Sequence, residues 1–345
     1  MRRSHPPFAA RCSRFAIRGS LVALVSFGAL YGILQGAQTA EIATEAKAHL
    51  TEIISVLQKE WLHRGKMDWD TFRQRVFQQA GAAQTIPDTY DAIRLALTLL
   101  GDKHSYYVPV EGKPIFNPES PTQSTGECTP AAAVTPPLPP EIGYVRIQIT
   151  PATPAAAIQD ALRKGDGKGI SGWIVDLRNS RGGNMWPAVA GIGSLLGDGT
   201  AGYFVDAANS ATPWGYANGE AWVDRETVAR VEAPYKLFVP NPRVAVLTDI
   251  GVASSGEAIA ISFRGRPNTR SFGTPTCGLS TAVSQLPLTR GGQILPFAQS
   301  ARIAVVTSVM ADRTKTLYGG AVPPDELVTD PADVVPRALT WLRRQ

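Results

Sequence analysis

The segment Arg243–Pro267, RVAVLTDIGVASSGEAIAISFRGRP, sets the terms for the rest of the chain. Its opening apolar run, Val244–Leu247, has the length and continuity of a strand buried on both faces. Asp249-Ile250-Gly251 supply a turn, and Ser254-Ser255-Gly256-Glu257 stand at the head of an apolar helix. Ser254-x-x-Glu257 has the spacing of a capping box, in which hydroxyl and carboxylate each satisfy an N–H of the first helical turn. A serine at a strand-to-helix junction can also present its hydroxyl at the carboxyl edge of a sheet, with the next N–H beside a developing oxyanion. On this segment alone both readings stand.

Upstream, GWIVDLRNSRGGNMWPAVAG (172–191) repeats the arrangement: a buried strand to Leu177, a polar turn, then Gly182-Gly183 ahead of a helix bearing Met185, Val189 and Ile192. Two glycines there let backbone N–H groups face outward at the positive end of a helix, where they can hold an anion or an oxyanion. A tight turn that merely needs glycine reads the same. The spacing fits neither a dinucleotide fingerprint nor a phosphate loop, so nucleotide binding is not expected.

Further strands are expected at Gly143–Ile149 and Arg302–Thr307, and helices at Ala155–Arg163, Met185–Leu196, Glu257–Arg264 and Ala332–Arg344. Strands alternating with helices imply a layered α/β core, residues 141–345, with a mostly parallel sheet. A small helical N-terminal unit (41–108) precedes it, with apolar residues at Leu50, Ile53, Ile54 and Leu57 and again at Ile93, Leu95, Leu97 and Leu100. Between them, residues 109–140 hold nine of the 27 prolines and read as a connector or surface loop.

Residues 1–40 carry five arginines and no acid, an apolar run at 21–34, and a small-residue tail: a signal peptide, or an uncleaved membrane anchor. The run is shorter than the ~20 residues that span a bilayer. Without this leader the chain has 29 basic and 29 acidic residues, so its net charge of +5 makes no case for nucleic acid. Export, to the periplasm or outside the cell, would leave Cys128 and Cys277 in an oxidising compartment, where they either pair or are two unrelated small residues. No Cys/His ligand spacing occurs, and neither metal nor cofactor is expected.

Taken in order, LGDKHSYYVP, IGYVRI, VDLRNSRGG, AVLTDIGVASSGEA, RSFGTPTCGLS and YGGAVPPD resemble the successive signatures of the tail-specific, carboxyl-terminal-processing serine peptidase family. The resemblance covers residues 98–330 and implies a ClpP/crotonase-like core. It also implies that Ser254 is the nucleophile of a peptidase acting on peptides or unfolded proteins. The N–H groups of Ser255 and of Gly182 or Gly183 would then form the oxyanion hole.

Two departures point to the tricorn-like branch, in which a histidine activates the serine. The string that carries the family's lysine is here Gly278-Leu279-Ser280-Thr281, and Leu279 cannot be a base. The 37 residues between His104 and Ile142 are fewer than the ~50 an independent peptide-binding module needs. Of the four histidines, His5 lies in the leader, and His49 and His63 fall on charge-rich stretches that suggest a solvated face. His104, flanked by Asp102 and Ser105, is the expected general base. For a third member Glu257, Asp312 and Asp325 are open. The competing expectation is a non-catalytic peptide- or lipophile-binding protein that keeps the fold. An esterase of the α/β-hydrolase type is excluded, because Val252 stands where that motif needs glycine and no histidine follows residue 104.

Overall fold

In a computed structural model, residues 41–120, 128–150 and 154–344 are described. The leader at 1–40, with its apolar run at 21–34, lies outside the described residues. Helices α1 (Thr44–Glu60), α2 (Trp69–Ala80) and α3 (Tyr90–Leu100) come first, then the short strands β1 (Tyr106–Val108) and β2 (Ile115–Phe116). After the connector follow β3 (Ile142–Arg146), α4 (Ala155–Gly165), β4 (Gly172–Asp176), α5 (Trp186–Gly191) and α6 (Gly193–Leu196). A meander comes next: β5 (Gly199–Asp206), β6 (Ala211–Ala217), β7 (Glu220–Val223) and β8 (Glu226–Arg230). The chain closes with β9 (Arg243–Thr248), α7 (Ser255–Ser262), β10 (Thr269–Gly273), β11 (Thr281–Pro287), β12 (Arg302–Asp312), β13 (Glu326–Leu327) and α8 (Pro331–Leu342).

Among the described residues the strands form two sheets. One is the parallel sheet expected of the α/β core, in the order β13-β10-β9-β4-β3. Alternate side chains of its strands serve opposite faces. Ile174, Ala245, Leu247 and Phe272 pack under Val334, Val335, Ala338 and Leu342 of α8. Trp173, Val175, Val244 and Val246 face Ile158 and Leu162 of α4, Val189 of α5 and Ile259 of α7. Burial on both faces explains why β4 and β9 read as continuous apolar runs rather than alternating ones.

The second sheet is antiparallel, with eight strands: the path β2-β1-β12-β5-β6-β7-β8, and β11 on β12. It was not anticipated. The strand expected at Arg302–Thr307 belongs here, as part of β12, and not to the parallel sheet. This sheet completes the helical unit's core. Leu50, Ile53, Ile54 and Leu57 of α1, Phe72 and Val76 of α2, and Ile93 and Leu97 of α3 cluster with Tyr107 and with Ile303 and Val305 of β12. Helix α3 ends where Gly101 enters the left-handed region at φ 72°, which turns the chain into the loop that carries His104.

Candidate active site

Strand β9 delivers the chain to the carboxyl edge of the parallel sheet, where Asp249 fixes the turn by accepting the N–H of Asn179 at 2.8 Å and of Gly251 at 2.9 Å. Ala253 N–H donates to Ser180 O at 3.0 Å. Ser254 then stands at φ 53°, ψ −117°, a conformation that costs a non-glycine residue about 1–3 kcal/mol and persists only where neighbours hold it. Glu257 is one such neighbour: its Oε2 accepts Ser254 N–H at 2.8 Å, the carboxylate arm of the capping box. The hydroxyl, on the other arm of the box, lies 3.0 Å from His104 Nε2.

His104 reaches this position from 150 residues upstream because Asp102 organises its loop. The Asp102 carboxylate accepts His104 N–H (3.0 Å), Ser105 N–H (2.6 Å), Ser105 Oγ–H (2.8 Å) and Trp61 Nε1–H (2.9 Å). Ser105 Oγ in turn accepts Val306 N–H from β12 at 3.0 Å. On the far side of the ring, Nδ1 is 2.8 Å from Thr281 Oγ1. With the proton on Nδ1 donated to Thr281, Nε2 is free to accept from Ser254. Burial pushes the imidazole down to about 4, against the nearby Asp102 charge, so the ring is neutral at physiological pH.

The glycine loop lies against the serine. Gly182 and Gly183 sit at φ 108° and 145°, where side chains are disfavoured. A Cβ at Gly182 would come within 2.8 Å of Ala253 O and 2.9 Å of Ser254 Cβ. Ser255 Oγ ties the two segments together by donating to Gly183 O at 2.6 Å. Among the described residues no acceptor is found for the N–H groups of Ser255, Gly182 or Gly183, so they are available to an oxyanion.

None of the three carboxylates considered as third member touches His104. Glu257 is fully buried and spends its lone pairs on Ser254 N–H, Leu279 N–H (2.8 Å), Gly278 N–H (2.9 Å) and Thr276 Oγ1–H (2.5 Å). Burial pushes its carboxyl up to about 7, against those four donors. Asp312 is engaged by Tyr318, Thr314 and Thr316, and Asp325 by Ser271 and Arg264. Thr281 takes the place on Nδ1. Sequence reasoning missed it, although it closes the very string whose lysine is absent.

Leu279, at that position, is buried. Lys315 holds its ammonium over the Tyr203 ring, 5.5 Å from the centroid. His49, expected on a solvated face, is instead buried with Nε2 3.0 Å from Tyr107 Oη, because α1 turns that position toward the sheet. His63 is exposed as expected.

Two further features bind the connector to this site. Asp176 and Arg178 form a buried two-pronged ion pair (2.9 and 2.7 Å), and Arg178 also donates to Val134 O and Thr135 Oγ1. Cys128 and Cys277 are joined by a disulfide with Cα atoms 5.4 Å apart. Beside His104 opens a cavity of about 460 Å³ lined by Trp61, Leu100, Leu279, Val306 and Val309, with Lys66 and Lys103 also on its wall.

A model of peptidase family S41 matches residues 141–307. The nisin-resistance protein of Lactococcus lactis subsp. lactis is 25% identical over 287 residues, covering 81% of each chain. A lipoprotein from Streptococcus agalactiae has the same fold: TM-score 0.64 at 20% identity, over 87% of this chain and 96% of that one. So does the photosystem II D1 C-terminal processing protease, with TM-score 0.54 at 16% identity, over 84% and 94%. The ordered motifs and the family match lead to one conclusion: over residues 141–307 the α/β core is that of peptidase family S41.

Proposed function

We propose that this protein is an exported serine endopeptidase that cleaves peptide bonds through an acyl-enzyme on Ser254, with His104 as general base. The observation that carries the reading is the 3.0 Å contact between Ser254 Oγ and the buried Nε2 of His104. As the hydroxyl attacks the scissile carbonyl, Nε2 takes its proton, and Nδ1–H, held by Thr281 Oγ1, steadies the ring as it becomes imidazolium. The tetrahedral oxyanion is received by Ser255 N–H and by an N–H of the Gly182-Gly183 loop. The imidazolium returns the proton to the leaving amine, and a water repeats the cycle on the ester. Because Leu279 stands at the lysine position, the reading is the histidine-dependent, tricorn-like variant.

The leader supports export to the periplasm or cell exterior, as a cleaved signal peptide or as a membrane anchor at residues 21–34. A disulfide suits an oxidising compartment. The substrate is an unfolded protein or peptide, and the name of the curated relative makes nisin one peptide to include in the assay.

The absence of a carboxylate on Nδ1 favours the second reading, a non-catalytic binder, and turnover separates the two. Ser254→Ala should abolish cleavage of an unstructured protein while stability stays within about 1 kcal/mol, the usual loss for a helix N-cap. A folded Ser254→Ala protein that cleaves at the wild-type rate refutes the proposal.

A further inference from the structure

The described residues of the connector between β2 and β3, 117–120 and 128–141, touch the loops of the active site in turn. Asn117 Nδ2 donates to Asp102 O at 2.9 Å and Ser120 Oγ to Lys103 O at 2.6 Å, so it grips the two residues before His104. Cys128 is bonded to Cys277. The Pro130 ring lies against the serine turn, where a Cβ on Gly251 would meet it at 2.8 Å. Val134 and Thr135 then lock onto Arg178, just past β4 and ahead of the glycine loop.

Cys277 occupies the centre of the loop that the site depends on most. Its neighbours Thr276 and Gly278 both bind Glu257 Oε1, and Leu279 N–H binds Oε2, the same oxygen that holds Ser254 N–H. Four residues past Cys277 stands Thr281, the partner of His104 Nδ1. The disulfide therefore joins the connector, whose Asn117 and Ser120 hold the two residues before His104, to the loop that orients the histidine ring and supports the serine's elbow.

We propose that the Cys128–Cys277 disulfide is a positioning element of the Ser254–His104 pair, so that turnover, and not stability alone, depends on it. The inference rests on the catalytic reading above. A displacement of about 1 Å between reacting groups can cost on the order of 100-fold in rate, and the tether acts on both partners.

The test compares four preparations of the full-length protein: oxidised, reduced, Cys128→Ser and Cys277→Ser. Reduction uses dithiothreitol, which delivers two electrons and two protons to give two thiols and is itself oxidised to its cyclic disulfide. Alkylation and intact mass count the thiols. Peptide turnover and fluorophosphonate labelling of Ser254 are measured below the thermal transition, with near-UV circular dichroism alongside. The expected result is a loss of at least tenfold in kcat with KM within twofold, for reduced protein and both variants, with near-UV signal retained. Reoxidation should restore the reduced wild type and neither variant. Rates within twofold of the oxidised protein in the two variants overturn the inference, as does a rate loss that only tracks loss of near-UV signal. If the oxidised protein itself neither labels nor turns over, the catalytic reading fails and takes this inference with it.

Discussion

Replacing Thr281 by valine keeps the volume and the β-branch of the side chain and removes one atom's function, the hydroxyl 2.8 Å from His104 Nδ1. The ring is buried, so its Nδ1–H would lose its partner without water to replace it, at a cost of about 1–3 kcal/mol. The ring can escape that cost by moving its proton to Nε2, but it then donates to Ser254 and can no longer accept. In the transition state the same hydrogen bond is charge-assisted, worth about 1.5–3 kcal/mol, and at 1.36 kcal/mol per decade this corresponds to roughly 10- to 150-fold in kcat. Thr281→Val should therefore lose that much in kcat with KM nearly unchanged, while Thr281→Ser, which keeps the hydroxyl, stays within about threefold. Steady-state kinetics on one fluorogenic peptide decide it. Wild-type kcat in a folded Thr281→Val protein would show that Thr281 does not set the histidine's tautomer.

The remaining predictions concern titration and the glycine loop. The acid side of the kcat/KM profile should fall in two steps: a partial drop through about pH 7, as protonation of Glu257 removes one of its four hydrogen bonds, then about tenfold per unit below about 4, as His104 becomes charged. A continuous tenfold-per-unit loss starting near pH 6.5 would mean a solvated imidazole and refute the burial argument. For stability, the lowered His104 contributes fully above about 6.5 and loses that contribution as pH falls through about 4, up to about 3 kcal/mol. Glu257 is raised, so its contribution is present below 4.5 and lost as pH rises through about 7. Urea denaturation of His104→Ala should consequently show it about 3 kcal/mol better off, relative to wild type, at pH 4 than at pH 7; no difference would contradict the shift. Gly182→Ala forces a Cβ to within 2.8 Å of Ala253 O at φ 108° and should lower kcat by about 100-fold or more, and an active, stable Gly182→Ala protein would remove that loop from the oxyanion hole.

What the sequence made legible was local. The strand-turn-helix around Ser254 lies within one short segment, and its apolar run, turn residues and Ser-x-x-Glu spacing are all visible there. The parallel sheet followed for the same reason, since strands buried on both faces leave unbroken apolar runs. The meander β5–β8 left no such signal: its residues are half-buried or exposed for much of its length, and its pairing is set by neighbours rather than by alternation. Thr281 was hidden because its contact spans 177 residues and a threonine at the head of a strand looks like any other. His49 misled because Glu45 and Glu52 flank it at one helical turn, yet the position itself lies on the buried stripe with Ala46, Leu50 and Ile53 and turns to Tyr107. The connector's cysteine offered the tie to Cys277 as one of two readings, but its proline-rich composition describes its backbone, not its contacts, and gave no sign that it is fastened to Asp102, Lys103 and Arg178.

The central claim is that His104 makes Ser254 a nucleophile, and the most direct measurement is covalent capture of that oxygen. Pure, folded protein is incubated with a serine-directed fluorophosphonate, and the adduct is located by intact mass and peptide mapping. The account predicts one adduct per chain, on Ser254, absent in Ser254→Ala and formed at least 100-fold more slowly in His104→Ala. No adduct in the folded wild type, or an adduct that persists in Ser254→Ala, would contradict it.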